Sequence, residues 1–181
     1  YASNAFLALK VSYVNAIANI AESVDADIDD VVTGLGLDRR IGEKFLQPGP
    51  GWGGSCLPKD TSALIRIAAD VGYDFQLLRD VVQVNVEQFE RVLAKTTQVI
   101  GAPLEGRTVA VWGLTFKAGT DDLRDSPAIE IATRMVAAGA TLRAFDPEVA
   151  ADTHVIDGLS AVGDPYEACA GADALVVLTE W

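Results

Sequence analysis

The sequence has a single histidine, His154, and only two cysteines, Cys56 and Cys169, far apart and with no ligand-spaced cluster around them. Histidine-based zinc catalysis and a Ser/His triad therefore have almost nothing to work with, and no metal is expected. A chain of 181 residues does not need a disulfide staple, so a reducing cytoplasm is the expected setting. Basic residues are also few. Fourteen Lys and Arg against 26 Asp and Glu give a formal charge of -12, which repels nucleic acid and anionic lipid alike. Neither is expected as a partner, and any phosphate ligand needs local positive charge. Long hydrophobic runs are missing too: residues 5–21 are interrupted by Lys10, Ser12, Asn15 and Asn19, without a basic flank or cleavage-like end. The stretch reads as neither a membrane span nor a signal peptide.

What is present suits a sizeable core. Half the residues are hydrophobic (50%) and 22% are charged, enough for one large domain or two small ones. A strong helical pattern begins within three residues of Tyr1, which no methionine precedes, so a cut piece of a longer protein is expected. Apolar side chains from Phe6 to Val24 wrap most of a long first helix, as at a subunit interface. Residues 27–35 read as a short second helix, and residues 48–54, rich in Pro and Gly, as a shaped loop. A third helix from Pro58 should bury Leu64, Ile65, Ile67, Ala68 and Val71, with a fourth over residues 75–100. The Gly- and Pro-bearing stretch 101–106 is the expected boundary, dividing the chain into 1–101 and 102–181. Beyond it strands at 108–112, 141–145 and 174–178 alternate with helices at 127–138 and 165–170. The expected fold class is α/β, a helical region followed by a Rossmann-like doubly wound parallel sheet, incomplete at residue 181.

The chemistry concentrates in Gly49-Pro-Gly-Trp-Gly-Gly-Ser-Cys-Leu-Pro-Lys-Asp60. Four glycines let backbone N–H groups approach a ligand, and a helix starting near Pro58 puts its positive end beside the Cys56 thiol, favouring the nucleophilic thiolate. Asp60 follows one helical turn later, and Lys59 adds positive charge. More plainly, Cys56 could be a small buried apolar side chain in a tight turn. A second segment, residues 111–127, lies between a strand and a helix but lacks the Gly-x-Gly-x-x-Gly spacing, which disfavours a dinucleotide site there. Lys117 and Arg124 are candidates for anionic ligands, or simply solvated. Asp146 could meet a ribose hydroxyl or make a turn. Spacing alone assigns no role to Asn4 or Lys10. Trp52, Trp112 and Trp181 read as packing residues, with Trp52 the expected exception.

Four stretches together resemble a known family: Ser3-Asn-Ala-Phe-Leu-Ala-Leu-Lys10, Leu37-Asp-Arg-Arg-Ile-Gly-Glu-Lys-Phe-Leu46, the cysteine segment, and Gly113-Leu-Thr-Phe-Lys117 with Asp122-Leu-Arg-Asp-Ser126. Their order and spacing are similar to those of the UDP-glucose/GDP-mannose dehydrogenases along the whole chain. The resemblance implies an N-terminal NAD-binding domain ahead of this chain, a central helix that makes a homodimer, and a domain for the nucleotide of the sugar. It also implies oxidation of a sugar C6 alcohol to a carboxylate with two NAD and no metal.

By position, Cys56 resembles the family's nucleophile, Asp60 its proton-transfer and hydrolysis aspartate, and Asn4 its oxyanion-stabilising asparagine. Lys59 and Arg124 match NAD-contacting positions. Phe45, Leu46, Gln47, Pro48, Gly49, Gly53 and Lys117 match substrate-contacting ones, and Arg40 an arginine reaching the partner subunit's substrate. The family's catalytic lysine would fall just before Tyr1, so the 181 residues alone are expected to be inactive. The 40–46 run resembles the UDP-glucose branch more than the GDP-mannose branch, and Ser55 argues against N-acetylated UDP-sugars. A non-catalytic, dimeric sugar-nucleotide-binding module remains the alternative from another class.

Overall fold

The computed structural model describes residues 1–181, which form two compact units, Tyr1–Gln88 and Phe89–Trp181. No helix is long and apolar enough to cross a membrane.

The first unit is helical: α1 (Ala2–Ser23), α2 (Ile28–Leu37), α3 (Leu57–Asp70) and the start of α4 (Gln76–Ile100). Small side chains set how closely these helices approach. Ala5 and Ala8 of α1 are buried and let α3 lie close, in a core shared with Trp52, Leu78 and Val81. Asp27 caps α2 by accepting from Asp29 N at 2.8 Å, and the helix runs through Gly34 and Gly36 to Leu37. Pro58 sits in the first turn of α3, where its missing N–H costs nothing. Leu64 and Ile65 pack inward as expected and Ala68 is buried, whereas Ile67 and Val71 are exposed. At about 100° per residue Ile67 is turned away from the buried stripe, and Val71 is the C-cap beyond the last turn of α3, so the apolar face is narrower and shorter than expected.

The second unit begins inside α4. Phe89, Val92, Leu93 and Ile100 belong to its core, which is why it starts upstream of the 101–106 linker. There follow β1 (Thr108–Trp112), α5 (Pro127–Ala137), β2 (Thr141–Phe145), β3 (Leu159–Ala161), α6 (Pro165–Cys169) and β4 (Ala174–Val177). All pairings are parallel, in the order β3-β2-β1-β4. The chain thus reverses its direction of progress at β1, the switch point of a doubly wound sheet. β3 is the one strand the sequence pattern did not suggest. Val109, Val111, Leu142, Ala144, Leu159 and Ala161 line the buried face with Ile131, Ala132 and Met135 of α5.

At the carboxyl end of β1, Gly113 has φ +90, and a Cβ there would lie 2.4 Å from Thr179 Cβ and 2.5 Å from Thr179 N. Only glycine lets the segment after β4 cross so near β1.

Candidate active site

The glycine loop is held by side chains the sequence pattern left unassigned. Gly49 N donates to Asn15 Oδ1 (2.8 Å), and Gly49 O accepts from Gln88 Nε2 (2.8 Å). Trp52 N donates to Asn85 Oδ1 (2.8 Å), while Asn85 Nδ2 donates back to Trp52 O (2.9 Å). The Trp52 indole donates to Ser12 Oγ at 2.8 Å, and Ser12 in turn donates to Val81 O. A loop without regular structure would otherwise leave these backbone groups unpaired in a protein interior, so α1 and α4 supply the missing partners. Trp52 is therefore a buried packing residue, not the expected exception. Trp181 is the more exposed indole, at 49%.

The loop delivers Cys56 to the N-cap position of α3, with its side chain exposed. It is not the small buried side chain of the plainer expectation. Its carbonyl accepts Asp60 N at 3.0 Å, which brings the carboxylate onto the same first turn. Asp60 is only 7% exposed, and both its oxygens are engaged: Asn4 Nδ2 donates to Oδ2 at 2.6 Å, and Lys59 Nζ to Oδ1 at 2.5 Å. Lys59, and next Asn4, hold the Asp60 carboxyl below the usual carboxylate range against the opposing effect of burial. The Lys59 ammonium is correspondingly raised by Asp60 and also lies 5.9 Å from the centre of the Tyr1 ring. Asn4, Cys56, Lys59 and Asp60 are thus brought together: an exposed thiol beside an ionised carboxylate, which can accept a proton, and an amide donor.

The turn before the loop carries Arg40, Phe45, Leu46 and Gln47. Arg40 pairs with Asp38 of its own turn (Nη2 to Oδ2, 2.5 Å), and this partner holds the Asp38 carboxyl below its usual range. Phe45 is exposed at φ 62, unusual for a residue with a Cβ, while Leu46 is buried. Glu43, Lys44, Phe45 and Gln47, with Val11, line a cavity of about 520 Å³. Pro48, Gly49 and Gly53 are half-buried on the neighbouring loop.

Lys117 and Arg124 lie in the second unit, on the loop between β1 and α5. The Lys117 ammonium stands 5.3 Å from the centre of the Phe116 ring. Arg124 pairs with Asp122 (2.8 Å) and, with the Arg124 N–H, brings the Asp122 carboxyl down to about 2. Where a Rossmann unit would offer N–H groups to phosphate, Asp146 has taken them. Its Oδ2 accepts Leu114 N (2.7 Å), Thr115 N (3.0 Å) and the Trp181 indole (3.3 Å), and Oδ1 accepts Glu148 N (2.9 Å). Burial works to raise this carboxyl, but the N–H donors outweigh it and keep it below its usual range. Asp146 is therefore a buried structural pin at the strand ends. Ser126 caps α5 by accepting Ala128 N and itself donates to Leu114 O. The missing glycine pattern and the occupied N–H groups agree that this unit has no dinucleotide cradle after β1. Beside it, a cavity of about 550 Å³ between the ends of β1 and β4 is walled by Trp112, Phe145, Tyr166, Val177 and Trp181.

Comparison with known proteins gives the class. Residues 1–87 match the central domain of the UDP-glucose/GDP-mannose dehydrogenase family, and residues 110–181 match that family's UDP binding domain. The chain belongs to this family, whose members are NAD-dependent sugar-nucleotide dehydrogenases. It is 48% identical to the UDP-glucose 6-dehydrogenase of Rhizobium meliloti (strain 1021), covering 100% of this chain and 42% of that protein. It is 47% identical to UDP-glucose 6-dehydrogenase YwqF of Bacillus subtilis (strain 168), over 100% of this chain and 41% of the relative. Among solved structures, a UDP-glucose dehydrogenase from the hyperthermophilic archaeon Pyrobaculum islandicum superposes with TM-score 0.94 at 35% identity, over 100% of this chain and 42% of that one. The chain thus spans about two fifths of the length of these relatives.

Proposed function

We propose that the whole protein oxidises UDP-glucose to UDP-glucuronate in two successive NAD-dependent hydride transfers at C6, through a covalent intermediate on Cys56. The observation that carries this is the exposed Cys56 thiol one turn from an ionised Asp60 held by Asn4 and Lys59. The first oxidation yields an aldehyde. The Cys56 thiolate adds to its carbonyl carbon, forming a C–S bond and a thiohemiacetal, with an amide N–H of Asn4 stabilising the developing oxyanion. Loss of a second hydride from that carbon gives a thioester. Water then adds as Asp60 takes one of its protons, the C–S bond breaks with the thiolate restored, and the acid gives its remaining proton to solvent and leaves as the carboxylate.

NAD supplies the hydride acceptor when bound. Lys59 and Arg124 match the family's NAD-contacting positions and are the residues of this chain proposed to contact it. The names of the relatives support glucose and uridine over mannose and guanosine. Phe45, Leu46, Gln47, Pro48, Gly49, Gly53 and Lys117 are assigned to the sugar nucleotide, Leu46 through its backbone because its side chain is buried.

With the whole protein, UDP-glucose should yield two NADH and one acid per sugar, and GDP-mannose should turn over at least about a hundredfold less efficiently. Equal or reversed preference would sink the substrate assignment, and absence of turnover with either would favour a binding module. The 181 residues by themselves should produce no NADH.

The protein is also proposed to dimerise through α1. Phe6, Tyr13 and Ile20, seven residues apart on one stripe, are 61%, 52% and 59% exposed. Burying each would contribute roughly 1.5–3 kcal/mol, and a symmetric pair doubles the number buried. Arg40, exposed in its own chain, would then reach the partner's substrate. Light scattering should give twice the chain mass, and Tyr13→Glu should shift it to the monomer; a wild-type monomer at high concentration contradicts the dimer.

A further inference from the structure

Lys10 is used by nothing above, yet its ammonium is surrounded. It donates to Lys44 O at 2.5 Å, Ile41 O at 3.0 Å and Gly42 O at 3.4 Å. An ammonium has three donors and no acceptor, so three carbonyls on one short turn match its whole capacity. The turn is otherwise lightly built: Ile41 N and Gly42 N both donate to Asp38 O (2.9 Å each), and Gly42 and Phe45 adopt left-handed φ of 70 and 62. Carbonyl dipoles that converge repel one another unless a cation sits among them. Remove the cation, and the Lys44 carbonyl, in the peptide that joins Lys44 to Phe45, loses the partner that fixes it beside a residue held at a φ disfavoured for a side chain with a Cβ.

We propose that Lys10 is a positioning residue for the sugar nucleotide: by gathering the carbonyls of Ile41, Gly42 and Lys44 it fixes the turn that presents Arg40 and Phe45. α1 then works as a template. Lys10 holds the turn, Asn15 holds Gly49, and Asn4 holds Asp60, all from one rigid helix. This inference rests on the reading that the 40–49 segment contacts the substrate.

The test uses the whole protein as Lys10→Met and Lys10→Arg. Lys10→Met should raise the KM for UDP-glucose about tenfold while leaving kcat and the KM for NAD within about twofold, the pattern of lost uniform binding. Amide exchange of residues 41–46, measured without any ligand, should quicken by about tenfold in the same variant. Lys10→Arg should fall between, since a planar guanidinium keeps the charge but not the three-way geometry. Unchanged exchange in Lys10→Met would show that Lys10 does not hold the turn and would overturn the inference directly. Faster exchange with an unaltered KM for UDP-glucose would overturn it through the reading it rests on, since the turn would be held but would not contact the substrate. Should Lys10→Met fail to fold, Lys10→Arg decides: a raised KM at wild-type kcat supports the inference, and a wild-type KM overturns it.

Discussion

Cys56→Ala in the whole protein is expected to lower formation of the sugar acid by at least about a thousandfold, because Cys56 is the one thiol at the start of α3 to hold the aldehyde. The change is small in structural terms. Cys56 is exposed, its side chain caps nothing, and the hydrogen bond its carbonyl accepts from Asp60 N is made by the backbone. Loss of activity with an unaltered melting temperature therefore separates chemistry from packing. Stoichiometry separates it further: residual NADH should correspond to one oxidation per sugar instead of two, with free aldehyde trapped by an amine reagent. Two NADH and one acid per sugar at near-normal rate would rule out covalent catalysis at this residue.

Asp60→Asn should act later in the cycle. Asparagine keeps nearly the same shape and can still accept from Asn4, but it cannot take a proton from water, and it removes the partner of the Lys59 ammonium. Thioester formation should survive while its hydrolysis slows by about a hundredfold. Acyl-enzyme should then accumulate, and NADH should appear as a burst of two per active site followed by a slow phase. Because Asp60 is held below its ordinary range, the wild-type hydrolysis rate should persist as pH falls and decline only as that depressed value is reached. In Asp60→Asn this acid limb should be missing.

Much of the fold was legible because its signals are local. Periodicity located every helix and three of the four strands to within a residue or two, and the glycine pattern before Cys56 announced a loop at a helix start. β3 escaped because Leu159, Ser160 and Ala161 are too few to display an alternation. The supports of the site escaped for a different reason. Ser12, Asn15, Asn85 and Gln88 read as ordinary polar positions on helices, and their partners are loop groups 33 to 40 residues away, visible only once the helices are packed. Lys10 is the same case, with partners 31 to 34 residues distant. Asp146 reads from the sequence as the end of a strand, but N–H groups that bind it come from the end of another. Trp52 departs from the expectation because a loop position suggests exposure, whereas Asn85 and Ser12 draw the loop inward. The division between the units fell inside α4 because a continuous helix can serve two cores, which composition cannot reveal.

The central claim is that Cys56 carries the substrate between the two oxidations. It is tested most directly by acid-quenching Asp60→Asn protein during turnover with UDP-glucose and NAD, digesting it, and locating the added mass by peptide sequencing. The account predicts a UDP-glucuronyl thioester on the peptide bearing Cys56, removable by hydroxylamine. Adduct on Cys169 or on a lysine, or no adduct at any time while the acid still forms, would contradict it.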